Sequence, residues 1–317
     1  MKPKTKRVIK IGIPLLLAVF FGWYTFTKLP VEEFIPYFKN ANYYWILLGV
    51  FCGILSHLSR AYRWKFMLEP LGFKPHLPNS IMAVFIAYFT NFGIPRSGEV
   101  LRAAVFANYE DVPFEKGFGT IVAERIADMI VMLGIITITL FLEFDFIVKF
   151  FLMKFNPKTL VLAVLILLVL SILFLVFIKR SQSVIAVKIK NFIKGLIEGI
   201  LSIFKMKKKW AFIFHTLFIW AMYLLMFYFT SFAVKELIGI PFAAILIGFI
   251  AASFTIAATN GGIFVYPLAI GAAFSLFSIP ETPSIAFGWI VWTSQTLLII
   301  AIGSLSFLLL PVYNRNK

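Results

Sequence analysis

The amino-acid sequence predicts an all-α polytopic membrane protein: six full spans plus two re-entrant helical hairpins in an inverted repeat, with both termini cytoplasmic. Three observations carry that prediction. Hydrophobic residues make up 61% of the 317 positions and charged residues only 14%, outside the range of soluble domains. Six apolar runs are long enough to cross a bilayer, and two more are broken near their centres by Gly, Asn or Pro. Basic residues gather in some connections between the runs and are scarce in the others.

Crossing about 30 Å of hydrocarbon takes about 20 residues at about 1.5 Å each. Runs at 8–28, 43–67, 118–142, 159–178, 210–233 and 284–311 meet that length. The first follows Lys2, Lys4, Lys6, Arg7 and Lys10, as in a signal sequence, but no small-x-small cleavage site comes after it, so it reads as an uncleaved span. Segments 1–10, 59–80, 179–209 and 312–317 hold twenty of the thirty Lys and Arg residues against only Glu69 and Glu198, which puts all four on the cytoplasmic side. The nearly balanced stretches 28–42, 143–158, 234–240 and 280–283 go outside.

Parity then threads the two broken regions. Residues 80 and 117 are both inside, because 118–142 has to end outside for 159–178 to return to the basic 179–209 segment. The region 79–107 therefore crosses an even number of times, and its second arm, Ser97 to Ala107, is too short to cross. That predicts a hairpin entering from the cytoplasm and turning near Asn91 to Arg96. The region 241–279 counts the same way from outside and turns at Thr259-Asn260-Gly261-Gly262. Its arms leave two full crossings open, but no basic residue marks the turn as cytoplasmic, which favours re-entry.

Residues 43–142 and 210–311 thus form two repeats of opposite orientation, a pattern of transporters with a site near the midplane. The chain reads as a single integral membrane domain over 1–317, with 8–28 as its first span. Between the repeats, 184–205 reads as an amphipathic helix on the inner leaflet, or as a plain basic connector.

Six ionisable residues sit in apolar surroundings: Arg96, Glu99 and Arg102 beside the first turn, and Glu124, Arg125 and Asp128 in the next span. An ionisable group at the bilayer centre costs about 2.5 to 3.5 kcal/mol on insertion scales, so such groups face an interior or a polar pathway. All six are candidate substrate-binding residues. A helix starting at each turn brings partial positive charge, and guanidinium groups at 96 and 102 are shaped to hold a phosphate. Glu99 and Arg102 are spaced to pair, and Glu124 and Asp128 share a helix face. The same charges also suit a structural salt-bridge network. Asn91, Gly93, Pro95, Gly98, Asn260, Gly261 and Gly262 are read as the residues that make the hairpin turns.

Other functions find little support. The +16 formal charge lies in loops, where membrane topology accounts for it, so no nucleic-acid partner is expected. Cys52 is the single cysteine and His57, His76 and His215 are scattered, which gives no metal site. Without a nucleophile and base or a nucleotide-binding loop, no catalytic residue and no cofactor are expected.

Asn91-x3-Pro95-Arg96-x-Gly98-Glu99-x2-Arg102, then Glu124-Arg125-x2-Asp128, then Gly261-Gly262, resembles the lysylphosphatidylglycerol synthase transmembrane region, also called the flippase-like or UPF0104 family, over residues 8 to 311. The resemblance implies a domain that moves aminoacylated phosphatidylglycerol or handles other lipids and lipid-linked sugars, and implies that the six charged residues line its cavity. Two departures matter. Synthase members carry a soluble aminoacyl transferase domain after the membrane region, whereas this sequence stops at Lys317. The family's Gly-Gly-x-Gly-x2-Glu has Phe264 at its third glycine and Pro267 at its acid, which weighs against a cationic lysyl headgroup.

The function expected is a flippase of the bacterial inner membrane, moving an anionic phospholipid or a polyprenyl-phosphate-linked sugar. Alternatives are an integral enzyme that transfers a lipid headgroup, related to phosphatidylglycerol lysyltransferase, and a non-transporting membrane partner. A homo-oligomer and a separate synthase protein are compatible partners.

Overall fold

Helix length sorts the elements into spans and half-length arms. A computed structural model describes residues 31–94, 97–154, 156–184, 186–187, 189–190, 206–259 and 261–315. The helices are α1 (Val31–Asn40), α2 (Tyr43–Leu68), α3 (Leu77–Gly93), α4 (Gly98–Tyr109), α5 (Phe114–Leu142), α6 (Phe144–Lys154), α7 (Pro157–Arg180), α8 (Lys209–Ser231), α9 (Phe242–Ala258), α10 (Val265–Ser275) and α11 (Glu281–Tyr313). No strand occurs among the described residues. Among the described residues four segments are long and apolar enough to cross a membrane: Tyr43–Leu71, Phe114–Leu142, Lys209–Ser231 and Glu281–Tyr313. The expected first span at 8–28, most of 184–205, and the turn residues Pro95, Arg96 and Asn260 lie outside the described residues.

The chain divides into two compact units, Met1–Val122 with Trp210–Lys317, and Ala123–Lys209. In the second, α6 packs on α7, and Asn156 caps α7 by accepting the Lys158 amide at 3.0 Å.

In the first unit α3 packs against α4, α9 against α10, and α11 runs past both pairs, touching α3 and α10. The two pairs have nearly equal arms. Helices α3 and α4 have 17 and 12 residues, and α9 and α10 have 17 and 11. At about 1.5 Å per residue every arm is shorter than a 30 Å hydrocarbon core. Small residues let α11 approach its neighbours closely. A Cβ at Gly288 would stand 2.5 Å from Pro267 Cα of α10, and one at Gly303 would stand 3.0 Å from the Phe85 carbonyl of α3. Helix α1 lies on the same long helix, with Phe34 stacked on Trp289 at 6.0 Å between ring centroids.

Candidate functional site

The first hairpin is tied at both ends. At its tip Asn91 accepts the Gly98 amide through Oδ1 at 2.8 Å, and the Ser97 hydroxyl donates to the carbonyl of Ile94 at 2.8 Å. Asn91 therefore occupies one of the helix-start amides that the sequence leaves open to an anion. Gly98 is required there because a Cβ would stand 2.2 Å from the Ala87 carbonyl oxygen. At the open end Glu110 accepts the His76 backbone amide at 3.1 Å, putting a carboxylate at the start of α3, where the helix dipole favours one. Asn79 binds that carboxylate and also exchanges amide hydrogen bonds with Asn314, the C-cap of α11, at 2.9 and 2.8 Å.

The second tip is built from positive-φ backbone. Gly261 and Gly262 have φ of 71° and 76°, and Phe264 follows at 62°. The Val265 amide donates to the Ile263 carbonyl at 2.8 Å, so Phe264 is the central residue of a strained γ-turn. Trp292 of α11 donates its indole N–H to the Gly261 carbonyl at 2.8 Å, and the Thr259 hydroxyl accepts the Gly262 amide at 3.0 Å. The two tips lie close together: a Cβ added at Gly261 would stand 3.6 Å from the Phe92 ring.

Charge enters this unit from α2 as well as α4. Arg102 of α4 is 3% exposed and lies over the Trp64 ring at 3.8 Å. Trp64 is fixed by its own N–H, which donates to Thr120 Oγ1 at 2.8 Å, and by Phe106 at 3.8 Å between centroids. Next to Trp64 on α2, Arg63 is fully buried and donates to Thr216 Oγ1 of α8 at 2.9 Å. Arg60 is 2% exposed and stands 6.0 Å from the Tyr223 ring centroid. Ser59 and His215 Nδ1 share a hydrogen bond at 2.8 Å. Beside them a groove of about 350 Å3 opens between α2, α3 and α8, lined by Leu55, Leu58, Tyr62, Ile81, Phe214 and Phe218 among others.

Sequence reading missed Arg60 and Arg63, because it counted them in a cytoplasmic segment at 59–80. They lie on the last turns of a helix that continues to Leu68, and both are buried. Their spacing held the signal. Arg60, Arg63 and Trp64 fall at i, i+3 and i+4, the spacing of one helix face.

The six expected site residues divide. Glu99 is half-buried and forms no ion pair among the described residues, so the expected Glu99–Arg102 pair is absent, while Arg102 packs inward on Trp64. Arg96 lies outside the described residues. In the second unit Arg125 bridges the two acids of its helix, at 3.1 Å to Glu124 and 3.7 Å to Asp128. Glu124 is fully buried and Asp128 nearly so, while the Arg125 side chain is 42% exposed. Of the turn residues, Asn91 and Gly93 end α3, Gly98 starts α4, and Gly261 and Gly262 make the second tip. Among the described residues no group of His, Cys, Asp and Glu is placed to hold a metal.

A profile described as "Lysylphosphatidylglycerol synthase TM region" matches residues 11–303. A UPF0104 membrane protein of Methanocaldococcus jannaschii is 26% identical over 130 residues, 40% of this chain and 39% of that protein. A UPF0104 membrane protein of Methanothermobacter thermautotrophicus is 29% identical over 124 residues, 38% of this chain and 33% of that protein. The glycosyltransferase AglD of Haloferax volcanii is 24% identical over 141 residues, 44% of this chain and 23% of that protein. The matched segments thus span less than half of each relative. No solved structure matches.

Proposed function

Because the chain belongs to the lysylphosphatidylglycerol synthase TM region family, we propose that it moves an anionic lipid or lipid-linked headgroup between the leaflets of a cell membrane. The observation that carries this reading is the burial of Arg60, Arg63 and Arg102 inside one unit of apolar helices. Buried charges are a poor means of stabilising a fold, since well-packed apolar residues generally serve as well or better. In a membrane they mark substrate pathways. The guanidinium groups would bind the lipid phosphate, and the apolar groove beside Ser59 and His215 would take hydrocarbon.

In this proposal the two hairpins are re-entrant, from opposite sides, and their close approach at Phe92 and Gly261 lies near the middle of the bilayer. Arms of 17, 12, 17 and 11 residues suit that arrangement. Alternating access would come from rocking of the two repeats about this point. The relatives named are archaeal, so the membrane proposed is a cell membrane rather than a bacterial inner membrane in particular.

The test is a leaflet-resolved lipid assay in liposomes, with Arg102→Ala compared with Lys65→Ala, whose side chain is 40% exposed. Losing a hydrogen bond to a charged partner costs about 1.5 to 3 kcal/mol, so flipping should fall roughly tenfold or more in the first variant and stay unchanged in the second. Equal rates in wild type and Arg102→Ala for every anionic lipid tried would refute the reading.

A further inference from the structure

A second polar cluster lies deeper along α2 than Arg63, and its unpaired groups specify a ligand. His57 is 5% exposed, and its ring lies 4.7 Å from Tyr88 of α3 and 6.1 Å from Tyr223 of α8, between centroids. The two tyrosine hydroxyls face each other at 3.5 Å. Gln295 of α11 arrives from a third side. Its Oε1 would stand 2.4 Å from a Cβ at Gly53, which lies one turn before His57 on the same face of α2. Trp220 lies one turn from Tyr223 on α8, with 6.1 Å between the rings. Buried His57 Nδ1, Gln295 Nε2 and Trp220 Nε1 have no hydrogen-bond partner among the described residues.

Each such group costs about 1 to 3 kcal/mol if nothing satisfies it. Gln295 Nε2 and Trp220 Nε1 can only donate, His57 Nδ1 takes either role, and tyrosine hydroxyls take both. A matching ligand must offer oxygen acceptors to Gln295 and Trp220, and hydroxyl groups, which accept and donate, suit His57 and the tyrosines as well. An ammonium headgroup offers donors alone, and would add positive charge beside Arg60, one turn from His57. The rings of Tyr88, Tyr223 and Trp220 suit the C–H faces of a polyol.

We propose that His57, Gln295, Trp220, Tyr88 and Tyr223 form a seat for an uncharged, polyhydroxylated headgroup, glycerol or sugar, next to the arginines that hold its phosphate. This rests on the lipid-handling reading above and narrows its substrate class away from aminoacylated lipids. The cluster selects among headgroups, and the arginines bind what all of them share.

The experiment measures binding of phosphatidylinositol, phosphatidylglycerol, phosphatidic acid and lysylphosphatidylglycerol to the purified full chain by native mass spectrometry. The wild type should favour phosphatidylinositol and phosphatidylglycerol over phosphatidic acid by roughly tenfold, the worth of one or two net hydrogen bonds. His57→Phe and Gln295→Leu should bring that ratio to about one without weakening phosphatidic acid binding. Gln295→Glu, which replaces a donor by an acid, should raise the share of lysylphosphatidylglycerol and serves if the apolar variants do not fold. Arg63→Ala should weaken all four lipids together. Ratios unchanged in the His57 and Gln295 variants, or a wild-type preference for the lysyl lipid, would overturn the headgroup assignment while leaving the lipid reading intact. Loss of that reading would show instead as binding indifferent to Arg63→Ala.

Discussion

Gly98→Ala tests how the first hairpin is closed. The new methyl carbon would stand 2.2 Å from the Ala87 carbonyl oxygen, 2.8 Å from its carbonyl carbon and 2.9 Å from Asn91 Nδ2. Ordinary contact begins near 3.4 Å, so α4 has to move away from α3 by about 1.2 Å, the difference between 3.4 and 2.2. The obstacle is backbone and cannot swing aside. Overpacking of this kind costs about 1 to 3 kcal/mol. The same movement stretches the Asn91–Gly98 hydrogen bond beyond use, and a net bond is worth about 0.5 to 1.5 kcal/mol. The sum is roughly 1.5 to 4.5 kcal/mol, a large part of the stability of a marginal fold. Gly93→Ala, five residues earlier, meets nothing within 4 Å and is the control. Thermal unfolding in detergent should show a clear drop for Gly98→Ala and almost none for Gly93→Ala. Equal melting of Gly98→Ala and wild type would refute the close approach of α3 and α4.

Two further substitutions follow from the same backbone reasoning. Phe264 holds φ 62° with its ring 5.6 Å from Trp289 in an edge contact, so Phe264→Ala loses the ring and keeps the strain, while Phe264→Gly loses the ring alone. Glycine should therefore be the milder replacement by about 1 kcal/mol in unfolding measurements, and an alanine variant as stable as the glycine one would contradict the γ-turn. A Cβ at Gly49 would lie 2.3 Å from Thr230 Oγ1 of α8, so Gly49→Ala should destabilise by about 1 to 3 kcal/mol and Thr230→Ala should recover part of it. Purely additive losses in that double variant would show that α2 and α8 do not meet there.

Hydropathy made the spans readable: runs expected at 43–67, 118–142, 210–233 and 284–311 appear as Tyr43–Leu68, Phe114–Leu142, Lys209–Ser231 and Glu281–Tyr313. The second turn, at Gly261-Gly262, was equally plain, since few residues other than glycine accept positive φ, and the first was marked by the helix breakers Gly93 and Pro95. What hydropathy hides is which side a charge faces. Arg60 and Arg63 weigh the same in a charge count whether they lie in a loop or on the inner face of α2, and only their register with Trp64 separates the cases. Glu99 and Arg102 have pairing geometry by spacing, yet Arg102 turns to the indole face instead, because that side of α4 is the buried one. The approach of Phe92 to Gly261 joins two distant parts of the chain and no local pattern encodes it.

That approach is also where the account is most directly exposed. A photo-crosslinking phenylalanine analogue at position 92, activated in native membranes, should join α3 to the second hairpin, with the crosslinked peptide containing Gly261 and its neighbours. Adducts confined to lipid or to the aqueous phase, with none in 255–266, would contradict a pocket closed by the two hairpin tips.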